Sequence, residues 1–187
     1  MTKFSKIISS GSYLPDRILT NKELENMVDT SDKWITERTG IKERRVAAED
    51  ETSVDLAYKA SIDAIKKSNI DKNKIGAIFL ATCTPERKFP STAVLLQNRL
   101  DIKNAFSFDI NAACTGFVYA LDIAKKYIES GQIKYALVVG TEKITSLLDW
   151  SDRNTCVLFG DGSGAMILSS SDEPGILSST IGSDGSF

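Results

Sequence analysis

Apolar and polar segments alternate along the chain in a way that predicts strands separated by helices. Short apolar runs occur at KIGAIFLATCT, NAFSFDI and YALVVGTE, and runs of this length are typical of buried strands. Between them, the segment from Thr52 to about Ser68 and the segment STAVLLQNRLD carry apolar residues at helical spacing. This alternation indicates an α/β layered fold with a mixed, mostly parallel central sheet.

The remaining segments complete this prediction. FSKIISSGSYLP predicts a strand ending at Pro15, Thr20 or Asn21 caps a helix KELENMV, and Ser31 or Asp32 begins a helix DKWITERT that ends at Gly40. KERRVAAEDE is expected to form a charged loop, and CTGFVYALDIAKKYIESG a buried central helix. TCVLF and GSGAMILSS are further strand candidates, joined by a turn at GDGSG.

Composition narrows the class of protein. The 187 residues are 42% hydrophobic, enough for one sizeable domain. The net charge is -2, from 23 basic and 25 acidic residues that are well mixed, so we expect no nucleic-acid or membrane-surface partner. The apolar runs are far shorter than the roughly 20 residues that span a bilayer. The N-terminus lacks the apolar core of a signal peptide, so we expect a cytoplasmic protein.

The cysteine and histidine content limits the chemistry. Three cysteines without a C-x-x-C spacing argue against a disulfide framework. The chain has no histidine, which excludes His-containing zinc sites and a Cys-His pair within it, and we expect no metal site. Cys83, near the end of a predicted strand, and Cys156, at the start of another, are expected to be core residues.

Cys114 lies in DINAACTGFVYAL, where a predicted strand gives way to a helix. A helix N-terminus stabilises a thiolate, and the neighbouring small residues would let a substrate approach closely. An inert cysteine in a small-residue packing contact fits this stretch equally well. The stretch alone therefore leaves both a catalytic and a structural role open.

Six motifs, in order along the chain, resemble one enzyme family. They are GSYLPDRILTNKELENMVDTSDKWITERTGIKERR, ATCTPERKFPSTA, DINAACTGFVYAL, KYALVVGTE, DRNTCVLFGDGSGAMIL and EPGILSSTIGSDGS. The chain resembles β-ketoacyl-acyl carrier protein synthase III, the initiating condensing enzyme of bacterial fatty acid synthesis in the thiolase superfamily. The resemblance implies the first half of a pseudo-duplicated αβαβα architecture. Residues 1–187 would form the N-terminal thiolase-like domain, with the C-terminal thiolase-like domain outside this chain.

The resemblance implies an acyl transfer followed by a decarboxylative condensation. Cys114 would take an acyl group from acetyl-CoA or a similar short acyl-CoA, and malonyl-acyl carrier protein would then attack the thioester. CoA thioester is a substrate here, and no cofactor is implied. The family pairs its cysteine with a histidine and an asparagine from the C-terminal half, so this chain alone is expected to be inactive. The family also implies a homodimer.

Site residues also follow from the resemblance. The residues expected to bind CoA are Trp34, Arg38 and Arg153, which would stack on its adenine. Those expected to line the acyl pocket are Phe89, which reaches across the dimer interface in this family, Ile144, and Phe159 beside the cysteine. GDGSG lacks the lysine and helix of a phosphate-binding loop, and in this family its glycines would form a tight turn under the site.

Two alternatives stay open from the sequence. One is another thiolase-superfamily condensing enzyme, such as hydroxymethylglutaryl-CoA synthase or a ketoacyl synthase of secondary metabolism, which acyl carrier protein dependence would distinguish. The other is an inactive half that acts as a dimerising or acyl-binding module. In that case Cys114→Ser would leave CoA affinity and thiol reactivity unchanged.

Overall fold

A five-stranded mixed sheet with helices on both faces dominates the computed structural model, which describes residues 3–186. The strands are β1 (Phe4–Tyr13), β2 (Arg17–Thr20), β3 (Glu43–Val46), β4 (Ile75–Ala81), β5 (Phe106–Ile110), β6 (Tyr135–Lys143) and β7 (Asp161–Ser171). The helices are α1 (Asn21–Leu24), α2 (Asp32–Thr39), α3 (Ser53–Ser68), α4 (Thr92–Leu100) and α5 (Gly116–Glu129). The predicted α/β layered fold is confirmed.

The order of strands in the main sheet is β1-β7-β6-β4-β5. Strand β4 pairs in parallel with both β5 and β6, whereas β7 pairs antiparallel with β6 and β1. Four strands therefore run in one direction and only β7 runs in the other. The carboxyl ends of β4, β5 and β6 consequently meet at one edge of the sheet. Strands β2 and β3 form a separate antiparallel pair.

Helices α3 and α4 cover one face of the sheet. Their apolar residues form the larger core cluster with the residues of β4, β6 and β7 that face them, and its fully buried members include Ala57, Ala60, Ala64, Ile78, Leu80, Leu96, Leu137, Val139 and Ile167. Asp109 links β5 to α4, because its carboxylate accepts hydrogen bonds from the Thr92 and Ala93 backbone N–H groups at the start of α4.

Helix α5 packs on the opposite face through a second cluster. That cluster contains Ala77, Phe79, Ala120, Ala124, Ile128, Ala136, Val138 and Leu168, all fully buried. The side of α5 turned away from the sheet is different, since Val118 is 48% exposed. This face of the sheet is therefore covered by a single helix, whereas two helices cover the other.

Side-chain caps start the helices where the sequence predicts them. Thr20 caps α1 and Thr52 caps α3, each in a capping box with the acidic residue three positions later, and Ser31 caps α2. Gly40 ends α2 with φ +73, a conformation that favours glycine. Helix α1 stops at Leu24, so it is shorter than the predicted KELENMV.

Three predictions about the strands were wrong. TCVLF forms hydrogen-bonded turns, because Cys156 and Val157 are buried in a small cluster of their own and not in the sheet. GDGSG is no turn, since β7 begins at Asp161. Gly162 allows a close approach, because a Cβ there would lie 2.9 Å from Leu14 Cδ2. The charged loop KERRVAAEDE contains strand β3, which pairs with β2.

A satellite cluster joins the β2–β3 pair to the first two helices. It contains Leu19, Leu24, Ile35, Val46, Cys156 and Val157, with Trp34 and Trp150 packed against it. The buried Arg44 guanidinium holds the cluster together by donating to Asn21 Oδ1 at 2.9 Å and to the Val157 carbonyl at 2.9 Å. Across residues 3–186, the structure contains no helix with the length and apolar character needed to cross a membrane.

Candidate active site

Cys114 is exposed in a 3-10 turn, Ala113–Thr115, between β5 and α5. The turn begins with a left-handed residue, Ala113, whose φ is +45. For a residue other than glycine this conformation costs about 1–2 kcal/mol. The thiol is thus presented by a strained turn. The sequence predicted instead that Cys114 begins the α-helix, but α5 starts at Gly116.

The backbone N–H groups at the start of α5 have no side-chain cap. Thr115 precedes the helix, but its hydroxyl donates to the Ala112 carbonyl at 2.8 Å and makes no capping hydrogen bond to the helix. The first backbone N–H groups of α5 therefore stay free of side-chain caps, and such groups favour negative charge. Gly116 lets the helix start close to the sheet, because a Cβ there would lie 3.1 Å from the Ala81 Cβ.

Cys83 lies beside this turn, contrary to the prediction that it is an ordinary core residue. It is half-buried and follows β4, the strand next to β5, and its thiol donates to Asn111 Oδ1 at 3.4 Å. Burial raises the pKa of the Cys83 thiol, the Glu142 carboxylate raises it further, and the Ala113 N–H lowers it. Cys83 therefore remains a protonated thiol at neutral pH. Cys156 is fully buried, as predicted.

Glu142 at the end of β6 fixes the backbone around Cys83. Its carboxylate accepts from the Cys83 N–H at 2.7 Å and from the Thr84 hydroxyl at 2.7 Å, and Thr84 in turn accepts from the Lys143 N–H at 2.8 Å. Sequence reasoning missed Cys83, Asn111 and Glu142. The signal that could have found them is that each stands at the carboxyl end of a predicted parallel strand, and such ends share one edge of a sheet.

The three residues predicted to bind CoA lie together in the structure. The Arg38 guanidinium carbon is 4.8 Å from the centroid of the Trp34 ring, and that of Arg153 is 4.4 Å from it. Arg153 also reaches the exposed Asp29 carboxylate at 3.6 Å. These are direct stacking distances, so a purine can stack on the indole only after a guanidinium has moved aside.

The three residues predicted to line the acyl pocket are exposed or half-buried in the described part of the chain. Phe89 is 83% exposed in the loop between β4 and α4, and Phe159 is 41% exposed just before β7. Ile144 is half-buried in a 3-10 turn after β6. Asp161 fixes the residue that follows Ile144, because its buried carboxylate accepts from the Thr145 N–H at 2.9 Å and hydroxyl at 2.6 Å.

Comparison with known proteins finds one family to which this chain is similar. Residues 108–185, which include Cys114, match the family model described as 3-oxoacyl-[acyl-carrier-protein (ACP)] synthase III. The chain is 51% identical over 185 residues to a β-ketoacyl-[acyl-carrier-protein] synthase III of Alkalilimnicola ehrlichii, covering 98% of this chain and 57% of the relative. The corresponding protein of Ehrlichia canis is 52% identical over 187 residues, covering 99% of this chain and 59% of the relative.

Solved structures of similar proteins have the same fold as this chain. A 3-oxoacyl-[acyl-carrier-protein] synthase III of Aquifex aeolicus matches with a TM-score of 0.88 and 53% identity, over 90% of this chain and 55% of that one. A priming β-ketosynthase from the R1128 polyketide pathway matches with a TM-score of 0.90 and 39% identity, over 92% and 52%. The chain thus spans little more than half the length of the relatives it matches. It has the thiolase-like fold predicted, and nearly its whole length is similar in sequence to β-ketoacyl-acyl carrier protein synthases III.

Proposed function

We propose that this chain is the nucleophile-bearing part of an initiating condensing enzyme of fatty acid synthesis. The observation that carries the proposal is the exposed Cys114, held by a strained turn in front of uncapped helix N–H groups, inside the segment that matches the family. A thiolate at this position can attack a thioester carbonyl, because the reacting sulfur is accessible and the developing negative charge lies near backbone donors.

The reaction would proceed in two stages. The Cys114 thiolate attacks the acetyl carbonyl of acetyl-CoA, the bond to the CoA sulfur breaks, and CoA leaves as its thiolate. Malonyl-acyl carrier protein then loses carbon dioxide, and the resulting carbanion attacks the acetyl-enzyme. The bond to the Cys114 sulfur breaks and the cysteine is regenerated. Negative charge develops on the carbonyl oxygen in both stages, and the Cys114 backbone N–H would be one of its donors.

The CoA nucleotide would bind at Trp34, Arg38 and Arg153. An indole face and a guanidinium plane both stack on a purine, and the two guanidiniums supply positive charge for phosphate groups. Phe89, Ile144 and Phe159 would line the acyl pocket once further protein covers them. The substrate is a CoA thioester, and the proposed reaction requires neither a metal nor another cofactor.

We assign residues 1–187 to an N-terminal thiolase-like domain that works with a C-terminal counterpart. The one-sided packing of α5 supports this assignment, together with an apolar groove of about 320 Å³ beside it that is lined by Phe117, Gly140, Gly164 and Met166 among others. The chain contains no histidine, so the histidine that acts in condensation in the resembled family would lie outside residues 1–187. This chain alone would therefore not complete the condensation. The cytoplasm is the compartment that fits this activity.

A homodimer would form through the edge strand β5. Phe106 and Phe108 on this strand are 40% and 36% exposed, although they stack with each other and contact the buried Phe79 edge to face. An edge strand that exposes aromatic side chains and unpaired backbone groups is suited to pairing with a second copy. The exposed Phe89 would then reach the partner's acyl pocket.

Intact mass spectrometry before and after incubation with acetyl-CoA tests the proposal. We expect one acetyl group on Cys114, located by peptide mapping, and no acetyl group on Cys83 or Cys156. A protein that gains no acetyl group, or gains it on the other two cysteines, contradicts the proposal and favours a non-catalytic acyl-binding module. Dependence of the second stage on acyl carrier protein then separates this enzyme from hydroxymethylglutaryl-CoA synthase.

A further inference from the structure

Cys83 is in a position to control the turn that presents Cys114. The parallel pairing of β4 with β5 aligns Ala81 with Ile110, so both chains leave the sheet side by side. Two residues later the Cys83 thiol donates to Asn111 Oδ1 at 3.4 Å. The thiol is therefore in contact with the residue that begins the connection to Cys114.

The conformation of Ala113 requires an interaction that holds it. Its φ of +45 is unfavourable for an L-residue other than glycine, and alanine has no polar side chain that could stabilise it locally. On the far side, Thr115 holds the Ala112 carbonyl through both its N–H, at 3.1 Å, and its hydroxyl, at 2.8 Å. On the near side, the Cys83 thiol donates to Asn111 Oδ1 at 3.4 Å, two residues before Ala113. The turn is thus fastened at both ends.

We propose that Cys83 is a positioning residue for Cys114, because its thiol joins the β4 end to Asn111, two residues before the strained Ala113, and so maintains the turn that presents the nucleophile. This inference rests on the proposed role of Cys114. Glu142 completes the arrangement by holding the Cys83 backbone N–H at 2.7 Å. The same carboxylate, with burial, raises the pKa of Cys83, so this thiol stays protonated as a hydrogen-bond donor and does not compete as a nucleophile.

The test is the rate at which iodoacetamide alkylates Cys114 at neutral pH, measured by peptide mass spectrometry on the wild-type chain and its variants. We expect Cys83→Ala to lower this rate about fivefold, since the turn relaxes and the thiol moves relative to the helix N–H groups. Cys83→Ser can still donate and accept, so we expect it to stay within about twofold of the wild type. Cys156→Ala is the matched control, with an unchanged rate at Cys114.

Several outcomes would overturn the inference. A wild-type rate in Cys83→Ala would do so, and so would equal losses in Cys83→Ala and Cys83→Ser, because packing and not hydrogen bonding would then be responsible. If Cys83→Ala does not fold, Asn111→Ala removes the acceptor from an exposed residue and should give the same fivefold loss; a wild-type rate there contradicts the proposal. Thermal unfolding midpoints identify any variant that has lost its fold.

The proposed function and this inference fail in different ways. If Cys114 in the wild-type chain reacts no faster than Cys83, the nucleophile assignment itself fails, and the inference fails with it. If Cys114 reacts fast in the wild type and equally fast in Cys83→Ala and Asn111→Ala, only the positioning role of Cys83 is overturned.

Discussion

Two regions would hold the two ends of one substrate: the Cys114 turn, and the Trp34 cluster formed by Trp34, Arg38 and Arg153. Their geometry is maintained in opposite ways. Around Cys114, the geometry is fixed by hydrogen bonds that involve the ends of three strands and a left-handed residue. Around Trp34, two arginine side chains lie on an indole that is only half-buried. If the proposed function holds, the contrast teaches that the reacting atom is preorganised, whereas the nucleotide end would adjust as the ligand enters.

This difference has a physical basis. A reaction rate depends steeply on sub-ångström placement of the nucleophile and of the donors near the developing charge. Stacking on a purine tolerates wide variation in position, and long arginine side chains lose rotamer freedom when they order on a ligand. The two regions should therefore respond separately to mutation, which the following predictions test.

The largest expected effect is that of Cys114→Ser. Acetyl uptake from acetyl-CoA should fall more than about 100-fold, because an unactivated hydroxyl is a far weaker nucleophile than a thiolate. CoA affinity, measured by isothermal titration calorimetry, should not change, since the Trp34 cluster is intact. Cys156→Ser is the control for replacing a thiol elsewhere. Acetyl uptake by Cys114→Ser at the wild-type rate would remove Cys114 from the chemistry.

The pH dependence of alkylation should distinguish Cys114 from its neighbour. Burial and the Glu142 carboxylate raise the pKa of Cys83, so at neutral pH this residue has little of the reactive thiolate. We expect Cys114 to react with iodoacetamide at least about tenfold faster than Cys83 at pH 7. The Cys83 rate should rise as pH increases past its ordinary pKa of 9.0. A Cys83 rate equal to that of Cys114 at pH 7 would contradict this assignment.

Trp34→Ala should affect the nucleotide end alone. Loss of one stacking platform is expected to weaken CoA binding about fivefold to tenfold, while Cys114 alkylation stays at the wild-type rate. Trp150→Ala offers a matched control, because Trp150 packs against the same satellite cluster but makes no predicted contact with CoA. Equal losses of CoA affinity in both variants would mean that damage to the cluster, and not lost stacking, explains the result.

Asp29→Asn should have the smallest effect. The exposed Asp29 carboxylate holds the Arg153 guanidinium at 3.6 Å, and exposed ion pairs are weak. Removing its charge frees Arg153 and reduces repulsion of a phosphate-bearing ligand, so CoA affinity should rise by about twofold. Titration at low and high salt is the measurement, and the gain should shrink at high salt. A loss of affinity would show that Asp29 orients Arg153 productively.

Local signals in the sequence predicted most of the fold. The capping residues Thr20, Ser31 and Thr52 and the C-terminal Gly40 set the helix ends correctly, because cap chemistry is local. The failures came from residues whose environment is set at long range. Val157 in TCVLF is buried by the satellite cluster, and Gly162 of GDGSG allows the close approach of Leu14 to β7.

The candidate site was predicted unevenly for the same reason. Motif resemblance identified Trp34, Arg38 and Arg153, and the structure brings these three together. Cys83 was interpreted as core because it follows a buried strand. Its contact with Asn111 depends on which strands are neighbours in the sheet, and no single segment of sequence contains that information.

The close approach of Gly116 to Ala81 has a consequence for protein engineering. A Cβ at position 116 would lie 3.1 Å from the Ala81 Cβ, so these two small residues set how deep the start of α5 lies against the sheet. The position of the Cys114 turn relative to the sheet is therefore set at two positions that take no part in the proposed chemistry. A mutant library at Ala81 and Gly116 would change the distance of the Cys114 turn from the sheet without replacing any residue proposed to react.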